Sequence, residues 1–344
     1  MKLLAMDMHV AITADVQQIL EVQGLEVDVK PLSAHAWVLG RDAARVKGIR
    51  MPGKVSSLFK RDILHIDEAM CDRFYEKNRD SFSMYDGFIV SYPPAFAMLF
   101  ERFEKPVVTV ACTRFDFPCQ DPSRLIWLSK GLTRMHAKGS LIPIANNLLD
   151  QALAEKYMPF GWRHVPSLCD YMTQKYQPEG QSALLWSRSP EALEDRFKEI
   201  KGINNEFSIR DRYDRNEVKK AYAVIHLLYQ VSIMSAFEQY AQAIPMLVPT
   251  KEFMKDMYSV GGQVLSEVLF PNSQLELPDN WLDLADFYDD DNFRHIIKFD
   301  SFDHLEWELK SHDMPKVSCQ MALHQAARRQ RVHSEWRDII KEWF

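Results

Sequence analysis

Short apolar runs alternate with longer amphipathic stretches along most of the chain. Lys2–Met6 reads as a strand, and Ala14–Gln23 follows, with Val16, Ile19, Leu20 and Val22 at helical spacing and Gly24 as a stop. Leu25–Val29 then restarts a strand. Strand, helix, glycine stop, strand is the rhythm of a parallel βαβ unit. The rhythm continues through strand Gly87–Val90, helix Ala95–Phe103, strand Pro106–Ala111, helix Arg124–Lys138 and strand Leu141–Ala145. Three of these strands run straight into polar or turn residues: Ser91-Tyr92-Pro93-Pro94, Thr113-Arg114-Phe115-Asp116 and Asn146-Asn147. Ligands of open α/β sheets sit outside the carboxyl ends of the strands, so these junctions are where a site is sought.

The pattern breaks between Pro166 and Gln181, where Ser167–Pro178 mixes turn formers with polar residues. A second cycle then begins. It predicts strand Ala183–Trp186, helix Glu191–Ile200, a strand near Phe207–Ile209, helix Arg215–Lys220, strand Ala223–Leu228, helix Ala236–Ala243 and strand Met246–Val248. The expected organisation is an N-terminal domain over 1–170, a second over 180–315, and a helical tail over 316–344.

Composition narrows the class. The 344 residues carry 42 basic and 48 acidic side chains, a net charge of −6, and 47% are hydrophobic, enough for two cores. That mild acidity is a poor match to a dedicated nucleic-acid binder. Five cysteines, an odd number without a CxxC pair, argue against a disulfide framework or a thiolate zinc site and point to a reducing cytoplasm. The start, MKLLAMDMHVAIT, reads as a first strand rather than a signal peptide. No run approaches the ~18 apolar residues of a membrane-spanning helix. GxGxxG, Walker A and GxSxG motifs are all lacking, which removes dehydrogenase, P-loop kinase and serine hydrolase readings in their usual forms.

The most informative segment is Ala223–Pro249, AVIHLLYQVSIMSAFEQYAQAIPMLVP. A buried strand ends in a polar loop, a short helix opens at Ser235, and Pro245 ends it before another apolar strand. This segment resembles the donor-nucleotide half of the GT-B glycosyltransferases, α/β enzymes with two Rossmann-type domains facing a cleft and a C-terminal helix crossing back. The resemblance implies that Glu238 holds the nucleotide ribose, with Ala243-Ile244-Pro245 following as in that family. It also implies that Ser232, Ser235 and nearby N–H groups bind the phosphates, the task for which a helix N-terminus is suited. Ser235-x-x-Glu238 is equally a capping box, in which the serine caps the helix and the glutamate returns the bond. Many retaining members carry a glutamate eight positions before the ribose glutamate; here Gln230 stands there, which leans toward an inverting displacement.

Leu184–Pro190 resembles the first strand and loop of such a donor domain. It implies that Arg188, with Ser187 beside it, neutralises the leaving diphosphate. Arg210 and Arg212 resemble the loop that frames the base, although Asp211 and Asp214 between them also suit a salt-bridged surface loop. An inverting transferase needs a general base for the acceptor hydroxyl, and Asp7, His9 and Asp116 each follow a first-domain strand. Asp289-Asp290-Asp291 reads as a solvated turn rather than a metal site, and no metal is expected.

Seven cations between Arg41 and Arg61 form a basic loop, behind His35 and Trp37. A solvated loop explains them; an anionic acceptor, a lipid phosphate surface or a nucleic-acid backbone would also suit them, leaving room for peripheral membrane contact. The implied activity is transfer of a sugar from a nucleoside-diphosphate donor, UDP- or GDP-type, to a glycan, lipid-linked or small-molecule hydroxyl. No further cofactor is implied. Two other readings stay open: a sugar-nucleotide epimerase or polyol-phosphate transferase on the same fold, and a non-catalytic nucleotide-sugar-binding module.

Overall fold

The structure, a computed structural model, describes all residues except 34, 35, 37–39, 45, 48–65, 113, 114, 117–120, 190, 205, 210–212, 214, 261, 270–274 and 344. Two compact units emerge. Unit 1 comprises 1–167, 272–279 and 332–344; unit 2 comprises 168–271 and 280–331. The final helix, Met314–Trp343, is thus divided, its last residues counted with unit 1.

Unit 1 is built on a six-stranded sheet. Its strands are β1 (Lys2–Asp7), β2 (Glu26–Pro31), β3 (Gly87–Val90), β4 (Val107–Ala111), β5 (Leu141–Ala145) and β6 (Arg163–His164), in the order β2-β1-β3-β4-β5-β6. Every pairing is parallel. Strands covered on both faces must be apolar throughout, and β3, β4 and β5 are buried at every position. At the edge, β2 is only partly buried, and its Glu26 and Asp28 take Lys2 Nζ at 2.5 and 3.1 Å. Phe74, Phe82, Phe88 and Phe100 pack together beneath the sheet, Phe88 and Phe100 stacked at 4.4 Å.

Three helix starts in unit 1 are written locally. Asp67, Asp121 and Asn147 each cap a helix through their side chains, at 2.7, 3.0 and 2.8 Å. Such a cap is worth about 1 kcal/mol. Helix Glu68–Phe82 is an addition to the expected elements; its Met70, Cys71, Phe74 and Phe82 are buried. The first helix begins at Val10, four residues earlier than expected.

Unit 2 carries a five-stranded parallel sheet: β7 (Ala183–Trp186), β8 (Ile203–Asn204), β9 (Val224–His226), β10 (Met246–Pro249) and β11 (Ile297–Phe299), ordered β11-β10-β9-β7-β8. The strand expected near Phe207–Ile209 lies instead at Ile203–Asn204. Gly202, at φ +98°, turns the chain directly into register with Ala183 and Leu184. Phe207 and Ile209 join the core beside Leu184 and Trp186 without pairing as a strand. Both sheets share one plan. Each unit's second strand lies on one side of its first and the third on the other, which creates a topological switch point at β1/β3 and another at β7/β9.

Candidate active site

In unit 2 the switch point is lined by the loops that follow β7 and β9. Arg188, exposed, places its guanidinium 5.0 Å from the ring centre of Tyr229, a cation–π contact joining the two loops. Beneath it, Ser187 is buried and its Oγ accepts the Ser189 N–H at 2.9 Å, while Ser189 Oγ lies 2.7 Å from the Tyr258 hydroxyl. Tyr258 donates in turn to the Leu228 carbonyl at 3.2 Å. The loops are therefore braced from below, with the cation left at the surface.

Helix Met234–Ala241 opens directly after the β9 loop. Ile233 is its N-cap residue and supplies no capping hydrogen bond, so the capping-box alternative does not describe this helix. Ser235 lies inside the first turn, where its Oγ accepts from Trp186 Nε1 at 3.0 Å. Glu238 is 6% exposed and accepts the Tyr171 hydroxyl at 2.6 Å. His226, at the end of β9, sits 2.6 Å from Gln239 Oε1 through Nε2, and burial lowers its pKa to about 4. Tertiary side-chain bonds thus set the position of this helix, which lacks a local cap.

At its far end, Ala243 adopts a left-handed conformation, φ 60°, with its N–H bonded to the Tyr240 carbonyl and that of Ile244 to Gln239. This Schellman-type stop is usually made by glycine, and alanine holds it with backbone strain. Ser232 is buried in the β9 loop. The Gln230 amide oxygen is buried without a hydrogen-bond partner among the described residues. Asp289, Asp290 and Asp291 form a turn tied to Lys298 and Arg294, and no metal-binding cluster occurs among the described residues.

The switch point of unit 1 holds different chemistry. His9, after β1, packs edge-on against Tyr92, after β3, with ring centres 6.1 Å apart, and the Met8 N–H donates to the Tyr92 carbonyl. His9 is half-buried at the start of helix Val10–Val22 and makes no capping bond. Asp116, after β4, is fully enclosed. Next to it, the Phe115 N–H donates to Asp150 Oδ1 at 2.9 Å and Asn147 Nδ2 donates to Asp150 Oδ2 at 2.7 Å. The Asp7 side chain and Arg210, Arg212, His35 and Trp37 lie outside the described residues, as do Arg45, Arg50, Lys54, Lys60 and Arg61. Of the basic loop, Arg41 donates to Gln17 at 2.6 Å and Lys47 is exposed.

Solved structures that share this fold include a glycosyltransferase and a protein crystallised with UDP and glucose. The Anabaena protein Alr3699/HepE, in complex with UDP and glucose, aligns over 99% of this chain and 100% of its own with a TM-score of 0.55 at 10% identity. SnogD from Streptomyces nogalater aligns over 98% and 99% with a TM-score of 0.50 at 11% identity. The fold is GT-B. No protein-family model matches the sequence, and no curated protein does.

Viewed as a GT-B chain, unit 2 brings Ser187, Arg188, Ser232, Ser235 and Glu238 onto the loops and helix that follow β7 and β9. A cavity of about 400 Å³, walled by Leu184, Phe207, Tyr213, Glu217 and Lys220, lies elsewhere in unit 2, and neither Arg188, Glu238 nor the three serines line it. Sequence reasoning missed Tyr171, Tyr229 and Trp186. Tyr229 was traceable as the aromatic in the polar loop after β9. Tyr171 carries no local signal, because its segment reads as a connector.

Proposed function

We propose that this GT-B chain is a glycosyltransferase that moves a sugar from a nucleoside diphosphate to a hydroxyl acceptor, inverting the anomeric centre without a metal ion. The observation that carries the reading is the arrangement at the unit 2 switch point: an exposed cation, Arg188, on the loop after β7, and the uncapped start of helix Met234–Ala241 after β9, linked through the Arg188–Tyr229 and Trp186–Ser235 contacts, with the Glu238 carboxylate one turn inside. UDP bound to HepE supports a nucleotide in this role. The helix N-terminus and Arg188 meet the negative charge that grows on the diphosphate as the glycosidic bond breaks, a contribution made mainly in the transition state.

Glu238 receives the ribose hydroxyls, and Ser187, Ser232 and Ser235 supply polar groups around the phosphates. In an inverting displacement the acceptor oxygen attacks the anomeric carbon while a base takes its proton and the nucleoside diphosphate leaves. His9 is the base we favour. It is half-buried at the end of β1, whereas Asp116 is enclosed on all sides. Gln230, neutral where many retaining members hold a carboxylate, supports inversion. Residues 1–170 form the acceptor-side domain in this reading, and residues 180–315 the donor domain.

The test is calorimetric titration with UDP, dTDP, GDP, ADP and CDP of the native protein and Glu238→Ala. One diphosphate should bind, and the substitution should weaken it roughly 100-fold, the worth of two hydrogen bonds to a charged group. Binding of none of the five, or equal binding by both proteins, would remove the reading.

A further inference from the structure

Residues 168–176 are pinned along one helix by a run of bonds in register. The Tyr171 hydroxyl donates to Glu238 Oε1 at 2.6 Å, Lys175 Nζ to the Ala241 carbonyl at 2.9 Å, and the Tyr176 N–H to the Gln242 carbonyl at 2.9 Å. Steps of four and then one residue along the segment thus match steps of three and then one along the helix. The Tyr176 hydroxyl continues to the Tyr222 carbonyl at 2.9 Å. On the other side, Asp170 accepts Arg329 through both oxygens, at 2.6 and 2.9 Å, and the Leu168 carbonyl accepts Gln325 Nε2 at 3.0 Å. Cys169, buried at φ 55°, makes the turn that precedes Tyr171, closed by the Met172 N–H on the Cys169 carbonyl. A non-glycine residue is held left-handed only where its surroundings enforce it. The segment is built to a fixed geometry at the residue that meets Glu238.

We infer that Tyr171 is a positioning residue for nucleotide binding: its phenol, held by the 168–176 strap, orients the Glu238 carboxylate toward the ribose hydroxyls. The inference rests on the reading of Glu238 as the ribose anchor. A nearly buried carboxylate needs a donor, and a phenol supplies one without cancelling the negative charge, as a lysine or arginine would. It also fixes the side-chain torsion, so that the carboxylate is in place before the nucleotide arrives. Lys175 acts one turn further along, at the last carbonyls of the helix, where a cation also complements the helix dipole.

The experiment compares hydroxylated and hydroxyl-free riboses. The diphosphate that binds among the five above is titrated calorimetrically against its analogue lacking the ribose 2′- and 3′-hydroxyls (2′,3′-dideoxyuridine diphosphate for UDP, 3′-deoxythymidine diphosphate for dTDP), with the native protein, Tyr171→Phe, Glu238→Ala and the double variant. The native protein should favour the hydroxylated nucleotide by at least about tenfold, one charge-assisted hydrogen bond. Tyr171→Phe should cut that preference to about threefold or less while leaving affinity for the hydroxyl-free nucleotide within about twofold, and the double variant should match Glu238→Ala. Equal weakening toward both nucleotides would mean that Tyr171 only supports the fold, and tighter binding of the hydroxylated nucleotide would mean that the phenol competes with the ribose. Either overturns the inference, as does an unchanged preference. If the native protein itself shows no preference, or binds none of the five diphosphates, the Glu238 reading falls first, whatever Tyr171→Phe does. Lys175→Met, which loosens the strap while keeping Tyr171, provides a second variant should Tyr171→Phe fail to fold. It should lower the preference by a smaller factor, and an unchanged one would overturn the role of the strap.

Discussion

The two switch points share a plan and differ in what they hold. In unit 1 a histidine from the first strand meets a tyrosine from the third; in unit 2 an arginine from the first strand meets a tyrosine from the third. An imidazole exchanges protons near neutrality, whereas a guanidinium stays charged and answers negative charge. Helix starts do not divide so cleanly, since His9 leaves helix Val10–Val22 without a side-chain cap and Ser301 caps helix Phe302–Ser311 in unit 2, but one contrast holds. Asp67, Asp121 and Asn147 cap theirs in unit 1, while helix Met234–Ala241 in unit 2 is placed by Trp186, His226 and Tyr171 from other parts of the chain. One sheet topology therefore accommodates two chemistries because the loops at strand ends are free to vary while the strands are not.

The sharpest way to break this comparison is to exchange the roles by mutation. His9→Gln should lower turnover roughly 10²- to 10⁴-fold, the worth of a general base, with nucleotide affinity unchanged by calorimetry. A drop in nucleotide affinity would show that the two switch points do not divide the work. Arg188→Ala should cost about 10²- to 10³-fold in kcat, the scale of losing one charge-stabilising group. Its melting temperature should hardly change, since the side chain is exposed and its contact with Tyr229 contributes only about 0.5–1 kcal/mol.

Acid should separate the units by stability. Burial lowers the pKa of both His226 and His324 of unit 2 to about 4, with Arg328 and Arg294 adding to the effect at His324. Each is neutral in the folded unit and takes up a proton on unfolding at any pH between about 4 and the ordinary 6.5. Stability is therefore complete above that window and falls as pH drops through it, by up to roughly 3 kcal/mol for the fully buried His226. Hydrogen exchange at pH 5 and pH 7 checks this: amides of β9 and helix Met234–Ala241 should lose protection at the lower pH, and equal protection would refute it. The smallest expected effect is a gain. Ala243→Gly relieves a left-handed alanine and should add about 1 kcal/mol to unfolding stability in denaturant titrations.

Some elements were legible because their signals are local. The central strands are continuous apolar runs, and the alternation of strand and helix is enough to predict parallel sheets. Ser235-x-x-Glu238 shows where local reading fails. Its spacing fits a capping box, but the helix begins one residue before the serine, and both side chains bond residues about 50 and 67 positions away in sequence. Likewise the strand placed near Phe207–Ile209 had the right apolar content, but Gly202 had already turned the chain into the sheet.

By itself the sequence determined the class of architecture and the strand-end loops that carry the candidate residues, because periodicity, glycine stops and proline breaks act within a few residues. Tertiary structure alone decided that Arg188 faces Tyr229, that His9 rather than Asp116 remains accessible, and that Tyr171 reaches Glu238. Those pairings join distant segments, and their geometry is set by how the strands are ordered in each sheet, which no local pattern encodes.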